Sequence, residues 1–195
     1  MKFRYFLIDK PFGVLSQFTK EAPQHRTLRE LHDFPSTVYP VGRLDRDSEG
    51  LLILTDDASL NGALLQPRRG HSRTYWVQVE GRPGPEDLAR LAAGPEIRAK
   101  GKVHRSLPLR VAGILPALPP RNPPVRFRKN IPDTWLSLTM TEGKNRQVRR
   151  MCAQVGFPVL RLVRYAIGAV SLEDLGGGAV REVDGGWLRG RLELP

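Results

Sequence analysis

A single cysteine, Cys152, in 195 residues rules out an intramolecular disulfide and suits a reducing cytosol. The four histidines, His25, His32, His71 and His104, are scattered without metal-ligand spacing, so no zinc site is readable. No apolar run approaches the roughly eighteen residues of a membrane span. The N-terminal stretch Met1 to Ile8 is too short for a secretory signal and is interrupted at Asp9. Together these absences predict a cytoplasmic protein with no membrane association. Acidic residues are also scarce, 20 against 31 Lys and Arg, which leaves a net charge of +11. Such an excess favours a polyanion, because each neutralised phosphate releases counterions. No basic amphipathic helix with a broad apolar face is evident, so nucleic acid is favoured over an acidic membrane surface.

What is present fits a globular protein. The chain can bury a sizeable core as one domain or two closely fused lobes, and 40% apolar with 26% charged residues is ordinary. Residues 3–8 read as a strand closed by a turn in which Pro11 fixes φ and Gly13 permits a positive one. A short helix is predicted at 27–33, then strands at 38–44 and 51–55. Asp57 can cap a helix over 58–66 that ends at Pro67. Residues 73–80 alternate as a strand, with Tyr75, Val77 and Val79 on one face. Helices are expected at 85–93, opened by Pro85, and at 144–155, with a strand at 134–141. Residues 116–132 form a basic, proline-rich insertion loop. The tail reads as short strand-like pieces between glycines. Strands and helices not in strict alternation predict an α+β fold, with a mixed, mostly antiparallel sheet flanked by helices.

Two stretches carry chemistry. Residues 42–56, from Gly-Arg-Leu-Asp to Thr-Asp, place Arg43 and Asp45 before a turn at Gly50 and a buried apolar run. A carboxylate at the mouth of such a strand sits on a rigid element, where a reacting group belongs. Asp45, Asp47, Glu49, Gly50 and Asp56 also fall at positions 1, 3, 5, 6 and 12 of a calcium-loop template. Against calcium stand the short Asp56 at the twelfth position, Pro40 and Gly42 where a helix should enter, and the lack of a second hand. A turn with merely solvated acids is the other bland reading. In the second stretch, Glu142 to Met151, the residues Val148, Met151, Cys152 and Val155 form an apolar helical stripe. Lys144, Arg146, Arg149 and Arg150 occupy the other faces, which is usually a solvated arrangement. Yet cations at a helix beginning oppose its macrodipole, so their charge has another use, such as phosphate binding.

Lys10-Pro11-x-Gly13, the Gly-Arg-Leu-Asp block ending in Asp45, the strand bearing Tyr75, and Glu-Gly-Lys-Asn-Arg-Gln-Val-Arg-Arg-Met together resemble the RsuA-like pseudouridine synthases in order and spacing. The likeness runs from about residue 5 to residue 183 and is strongest to the branch acting on large-subunit (23S) ribosomal RNA. It implies a catalytic fold of two fused lobes with a central cleft, and a single catalytic domain over 1–195. The N-terminal S4 RNA-binding module of many relatives is not expected here. The implied activity is isomerisation of one uridine in RNA: the N1–C1′ bond breaks and the base is rejoined through C5, with no cofactor and no metal. By the same likeness Asp45 is the catalytic nucleophile, Tyr75 stacks on the target base and Arg149 faces the carboxylate. A guanidinium about 4 Å away is worth about 4 kcal/mol at an effective dielectric near 20, which offsets the rise in pKa that burial causes. RNA contacts are expected from Arg43, Arg73 (commonly Lys in the family), Lys144, Arg146, Arg150, Arg121, Arg126, Arg128 and Lys129. A monomer suffices for this chemistry. The rival reading is a non-catalytic RNA-binding or ribosome-assembly protein.

Overall fold

The computed structural model describes residues 3–66, 70–126, 128 and 130–194. In chain order the strands are β1 (Tyr5–Lys10), β2 (Val14–Leu15), β3 (Arg26–Thr27), β4 (Tyr39–Pro40), β5 (Glu49–Thr55), β6 (Arg73–Glu80), β7 (Glu96–Ala99), β8 (Lys102–Arg105), β9 (Arg110–Gly113), β10 (Asp133–Met140), β11 (Val159–Ile167), β12 (Val170–Ser171) and β13 (Val180–Val183). The helices are α1 (Ala58–Leu65), α2 (Pro85–Ala92), α3 (Gln147–Gln154) and α4 (Gly185–Arg191). Apart from the parallel β2–β3 pair, the strand pairs described below are antiparallel. The fold is α+β, as expected. The chain forms two compact units, one from residues 1–71 and 164–195 and the other from 72–163.

In the first unit β1 lies between β13 and β5. Phe6 and Ile8 stand opposite Leu54 and Leu52, while Leu7 stands opposite Ile53. Both faces are therefore apolar. Phe6, Ile8, Leu52 and Leu54 pack with Val14, Leu28 and Phe34, whereas Leu7, Leu51 and Ile53 pack with Leu60, Leu188 and Leu192. A strand covered on both faces reads as an unbroken apolar run, which explains Leu51 to Leu54. In the second unit β10 lies between β6 and β9. Tyr75, Val77 and Val79 alternate inward and pack with the stripe Val148, Met151, Cys152 and Val155 of α3.

Several predicted elements are shorter than read. The helix at 27–33 is a single 3-10 turn, Leu28–Glu30, and the strand at 38–44 pairs only at Tyr39–Pro40. Both lie in a proline- and glycine-punctuated stretch that cannot sustain repeated backbone pairing. Glu49 and Gly50 are already in β5, so the chain turns earlier, over Asp45 to Ser48, closed by Ser48 N–H to the Asp45 carbonyl at 3.0 Å. Gly13 has the positive φ expected of it, +83°. The helix predicted at 144–155 begins at Gln147, and Arg146 before it adopts a left-handed conformation, φ 52°. The insertion at 116–132 holds no helix or strand among its described residues, as predicted. Pro67, the expected stop for α1, lies outside the described residues. The β7–β8 hairpin, β9 and α4 were not predicted. α4 starts on Gly185-Gly186, yet Asp184 caps it by accepting from the amides of Gly186 and Trp187.

Asp57 ties the first unit together. Its carboxylate accepts from the amides of Ser59 and Leu60 at the start of α1, from the Tyr5 hydroxyl at 2.8 Å and from the Arg189 guanidinium of α4 at 2.6 Å. Burial alone raises its pKa, but the hydrogen bonds from Ser59, Tyr5, Arg189 and Leu60 outweigh burial and hold it well below the usual carboxylate range. A depressed native pKa stabilises the fold above the unfolded value of about 3.9 and loses that contribution as pH falls. Asp57→Ala should destabilise by about 3 kcal/mol, through the lost cap and a guanidinium left without its acid. Denaturant unfolding at pH 7 measures this. The parent–variant gap should shrink below about pH 4, and a gap that is constant down to pH 2 contradicts the assignment.

Candidate active site

The Asp45 loop is fastened to the loop after β1. The Ser16 hydroxyl donates to the Leu44 carbonyl at 2.9 Å and accepts from the Leu44 amide at 3.0 Å. The Gly13 amide donates to the Arg46 carbonyl at 2.8 Å. Asp45 is thus bracketed by backbone that is bonded on both sides, and its half-buried side chain stands on a fixed turn. Arg43, two residues earlier, is exposed. The calcium template does not describe this segment. Its positions 5 to 11 run as the extended strand β5, paired with β1, whereas a calcium loop must curl round its ion.

The first unit also buries charges, Lys10, Glu49 and Arg164, whose burial the sequence reading did not foresee. Lys10, with no exposure, donates its ammonium to the carbonyls of Pro11 at 3.0 Å and Val14 at 2.8 Å. Glu49 is 8% and Arg164 4% exposed, and Arg164 Nε donates to the Leu51 carbonyl at 2.8 Å. Burial depresses the Lys10 pKa; Glu49 and Asp47 pull it up, Arg164 pushes it down, and Asp45 adds a further upward pull, for a net value of about 8. Charges taken from water at such cost are held by mutual compensation. Lys10 is therefore a buried cation of the first unit. Its signal in the sequence was a lysine ending an apolar strand directly before proline, where an exposed residue is the ordinary expectation.

In the second unit Tyr75 is 9% exposed on β6, opposite Leu138 of β10, and packs with Val148 and Met151 of α3. Arg73, at the start of β6, is half-buried. Arg149 is half-buried on α3 and donates to the Val159 carbonyl at 3.4 Å. The buried Cys152 thiol is pushed up to about 12 by burial, against the opposing pull of the Arg149 guanidinium. The entry to α3 is organised by two residues of the quoted motif to which the sequence reading gave no role, Glu142 and Gln147. Gln147 accepts from the Lys144 amide at 2.8 Å and donates to both Glu142 and the Ser106 hydroxyl. Glu142 also accepts from the Leu107 amide at 2.8 Å and pairs with the Lys144 ammonium.

The expected RNA-contacting residues differ in what they already hold. Arg146 and Arg126 are exposed. Arg128 pairs with Glu80 at 2.7 Å, and Arg150 donates to the carbonyls of Asn145 and Arg98. Arg121 is turned inward, bonding the carbonyls of Pro123 at 2.8 Å and Pro124 at 3.0 Å and so folding the insertion on itself. Lys129 lies outside the described residues.

Lys10→Met should change the pH dependence of stability in a defined direction. The folded pKa of about 8 lies below the model value of 10.5, so the parent bears a burial penalty that fades as pH rises between the two. The parent should gain on the variant by up to about 3 kcal/mol between pH 7.5 and 10, read from paired urea unfolding curves. The comparison cancels the titration of Cys152, which both proteins share. An unchanging gap rules out a buried ammonium.

Comparisons with known proteins give the chain's family and fold. A sequence model of RNA pseudouridylate synthases matches residues 4–154. Ribosomal large subunit pseudouridine synthase E of Xanthomonas campestris pv. campestris is 51% identical over 179 residues, covering 91% of this chain and 94% of its own. The protein of the same description from Vibrio parahaemolyticus is 48% identical over 181 residues, covering 92% of this chain and 74% of its own. A crystal structure of a pseudouridylate synthase superposes with a TM-score of 0.77 at 27% identity, covering 97% of this chain and 74% of that one. With one match to the family over most of the chain and relatives near half identity over nine-tenths of it, the chain belongs to the RNA pseudouridylate synthase family.

Proposed function

We propose that this protein converts one uridine of large-subunit ribosomal RNA to pseudouridine, with Asp45 as the nucleophile. The observation that carries the substrate class is the near-half identity, over nine-tenths of the chain, to relatives described as ribosomal large subunit pseudouridine synthases. The chemistry is an isomerisation. The N1–C1′ bond breaks, a C5–C1′ bond forms, the C5 proton leaves and N1 regains one. Reactant and product hold the same atoms and electrons, so the step needs neither an oxidant nor a group donor. Asp45 attacks the nucleoside or assists glycosidic cleavage; its fixed turn keeps the carboxylate placed, and Lys10 and Arg149 are the cations assigned to keep it ionised. Tyr75 is assigned to the face of the target base. A uridine inside folded RNA must be swung out to be reached, at a cost of a few kcal/mol. The exposed Arg43, Arg126 and Arg146, together with Arg73, Lys144 and Arg150, are assigned to the neighbouring backbone. The protein works as a cytoplasmic monomer in this proposal, its residues 1–195 serving as one catalytic domain with the 116–132 insertion as an appendage.

Mapping pseudouridine in ribosomal RNA from cells with and without the gene identifies the target. On that RNA Asp45→Asn should bind normally and form no pseudouridine. Asp45→Glu should lose on the order of 10²-fold in turnover, because an added methylene displaces the carboxylate by about 1 Å. Asp45→Asn with parental turnover removes the nucleophile. A parent protein that modifies no uridine of its natural RNA leaves the non-catalytic RNA-binding reading in its place.

A further inference from the structure

The most basic short element outside the assigned site is the β7–β8 hairpin of the second unit. Residues 96–105 hold Arg98, Lys100, Lys102 and Arg105 against one acid, Glu96. All four cations are exposed, and among the described residues none forms an ion pair. The hairpin is firmly seated. Ile97 and Ala99 are 3% and 4% exposed, and Ile97 packs with Val148 and Met151 of α3. The Arg150 guanidinium donates to the Arg98 carbonyl, tying the hairpin to the helix that carries Arg149. Ala99 pairs with Lys102, so the loop is only Lys100-Gly101, and both residues have positive φ, 49° and 76°.

A two-residue turn of that kind favours Asn-Gly, and a lysine there is a poor choice for stability. Exposed like charges on one small element add nothing to the fold either. On the outer face Arg98 stands opposite Val103, which is 58% exposed. An apolar side chain among unpaired cations suits a ribose or base edge between phosphates. On β7 the buried Ile97 and Ala99 alternate with the outward Arg98, while Lys102, opposite Ala99, is exposed on the other face beside the short turn, so the cations line a preset edge.

We propose that this hairpin is an RNA-docking arm, in which Arg98, Lys100 and Lys102 hold the phosphate backbone flanking the modified uridine and Val103 packs against its sugar or base. The assignment rests on the RNA-modifying reading above and extends it to a surface which the sequence motifs did not mark.

The test is a triple variant, Arg98→Gln, Lys100→Asn and Lys102→Gln, titrated against a fragment of the ribosomal RNA at several salt concentrations. Lys100→Asn makes the favoured Asn-Gly turn, so thermal melting should show the fold retained. Should the triple variant melt early, Lys100→Asn alone serves, with a proportionally smaller effect. For three lost phosphate contacts the plot of log affinity against log salt should become shallower by about 2, and affinity near physiological salt should fall by roughly tenfold or more. Lys20→Gln with Arg26→Gln, exposed cations of the first unit, is the control and should leave the slope unchanged. A slope like the parent's, or one that the control lowers equally, overturns the proposal. So does a defect confined to ribosomal particles with naked-RNA binding intact, which marks a protein partner instead. Pseudouridine formation by the parent, measured on the same RNA, separates the two claims: a parent that forms none removes the enzyme reading, whereas an active parent with an unaffected triple variant removes only the arm.

Discussion

A lysine ammonium shut away from water fixes the ground on which Asp45 stands. Lys10 closes the carbonyls of Pro11 and Val14 over itself, and so defines the loop whose Gly13 amide and Ser16 hydroxyl then clasp the Asp45 turn. Glu49 and Asp47, and least of all Asp45, offset part of the cost of burying the ammonium. Each partner in turn depends on the others, because an acid 8% exposed, as Glu49 is, needs a nearby cation. The two strands bearing Lys10 and Glu49 are sealed on both faces by apolar side chains, which keeps water from dissolving the arrangement.

How much of this could be read from the sequence depends on the range of the forces involved. Local signals read well. Asp57 before an apolar octet announced α1 and its cap, Pro85 announced α2, and alternation at 73–80 gave β6 with the correct inward face. The stripe Val148, Met151, Cys152 and Val155 gave the buried side of α3. Long-range closure did not read. The Ser16–Leu44 clasp joins residues 28 apart, and Arg189 reaches Asp57 across 132. Neither partner has a local pattern that names the other. α4 was hidden because a Gly-Gly start argues against helix, and only its Asp184 cap and the Arg189 tie to Asp57 outweigh that propensity. The β7–β8 hairpin was hidden because its turn carries Lys-Gly in place of the usual Asn-Gly.

For the site, the motif residues and their rigid supports separate along the same line. Asp45, Tyr75 and Arg149 were picked out by type and order. Ser16, which holds the surrounding backbone, carries no chemical signature, and the supporting part of Glu142 and Gln147, though both lie in the motif, became visible only through their hydrogen bonds. Such side chains set the precision of a reacting group without touching the substrate, and a displacement of about 1 Å is enough to matter.

The net charge of +11 is therefore not a count of RNA contacts. Several arginines face inward and act as backbone clamps: Arg164 on Leu51, Arg161 on Pro119, and Arg121 on Pro123 and Pro124. Arg161 and Arg121 together bind the proline-rich insertion at points where proline, having no N–H, leaves carbonyls without a ladder partner. A planar guanidinium with several donors suits that task better than an ammonium does. What remains for a polyanion is the exposed subset, which in the second unit includes Arg98, Lys100, Lys102 and Arg105 of the β7–β8 hairpin tied to α3. Composition announced the class of partner. Hydrogen bonding decides which cations are left to meet it.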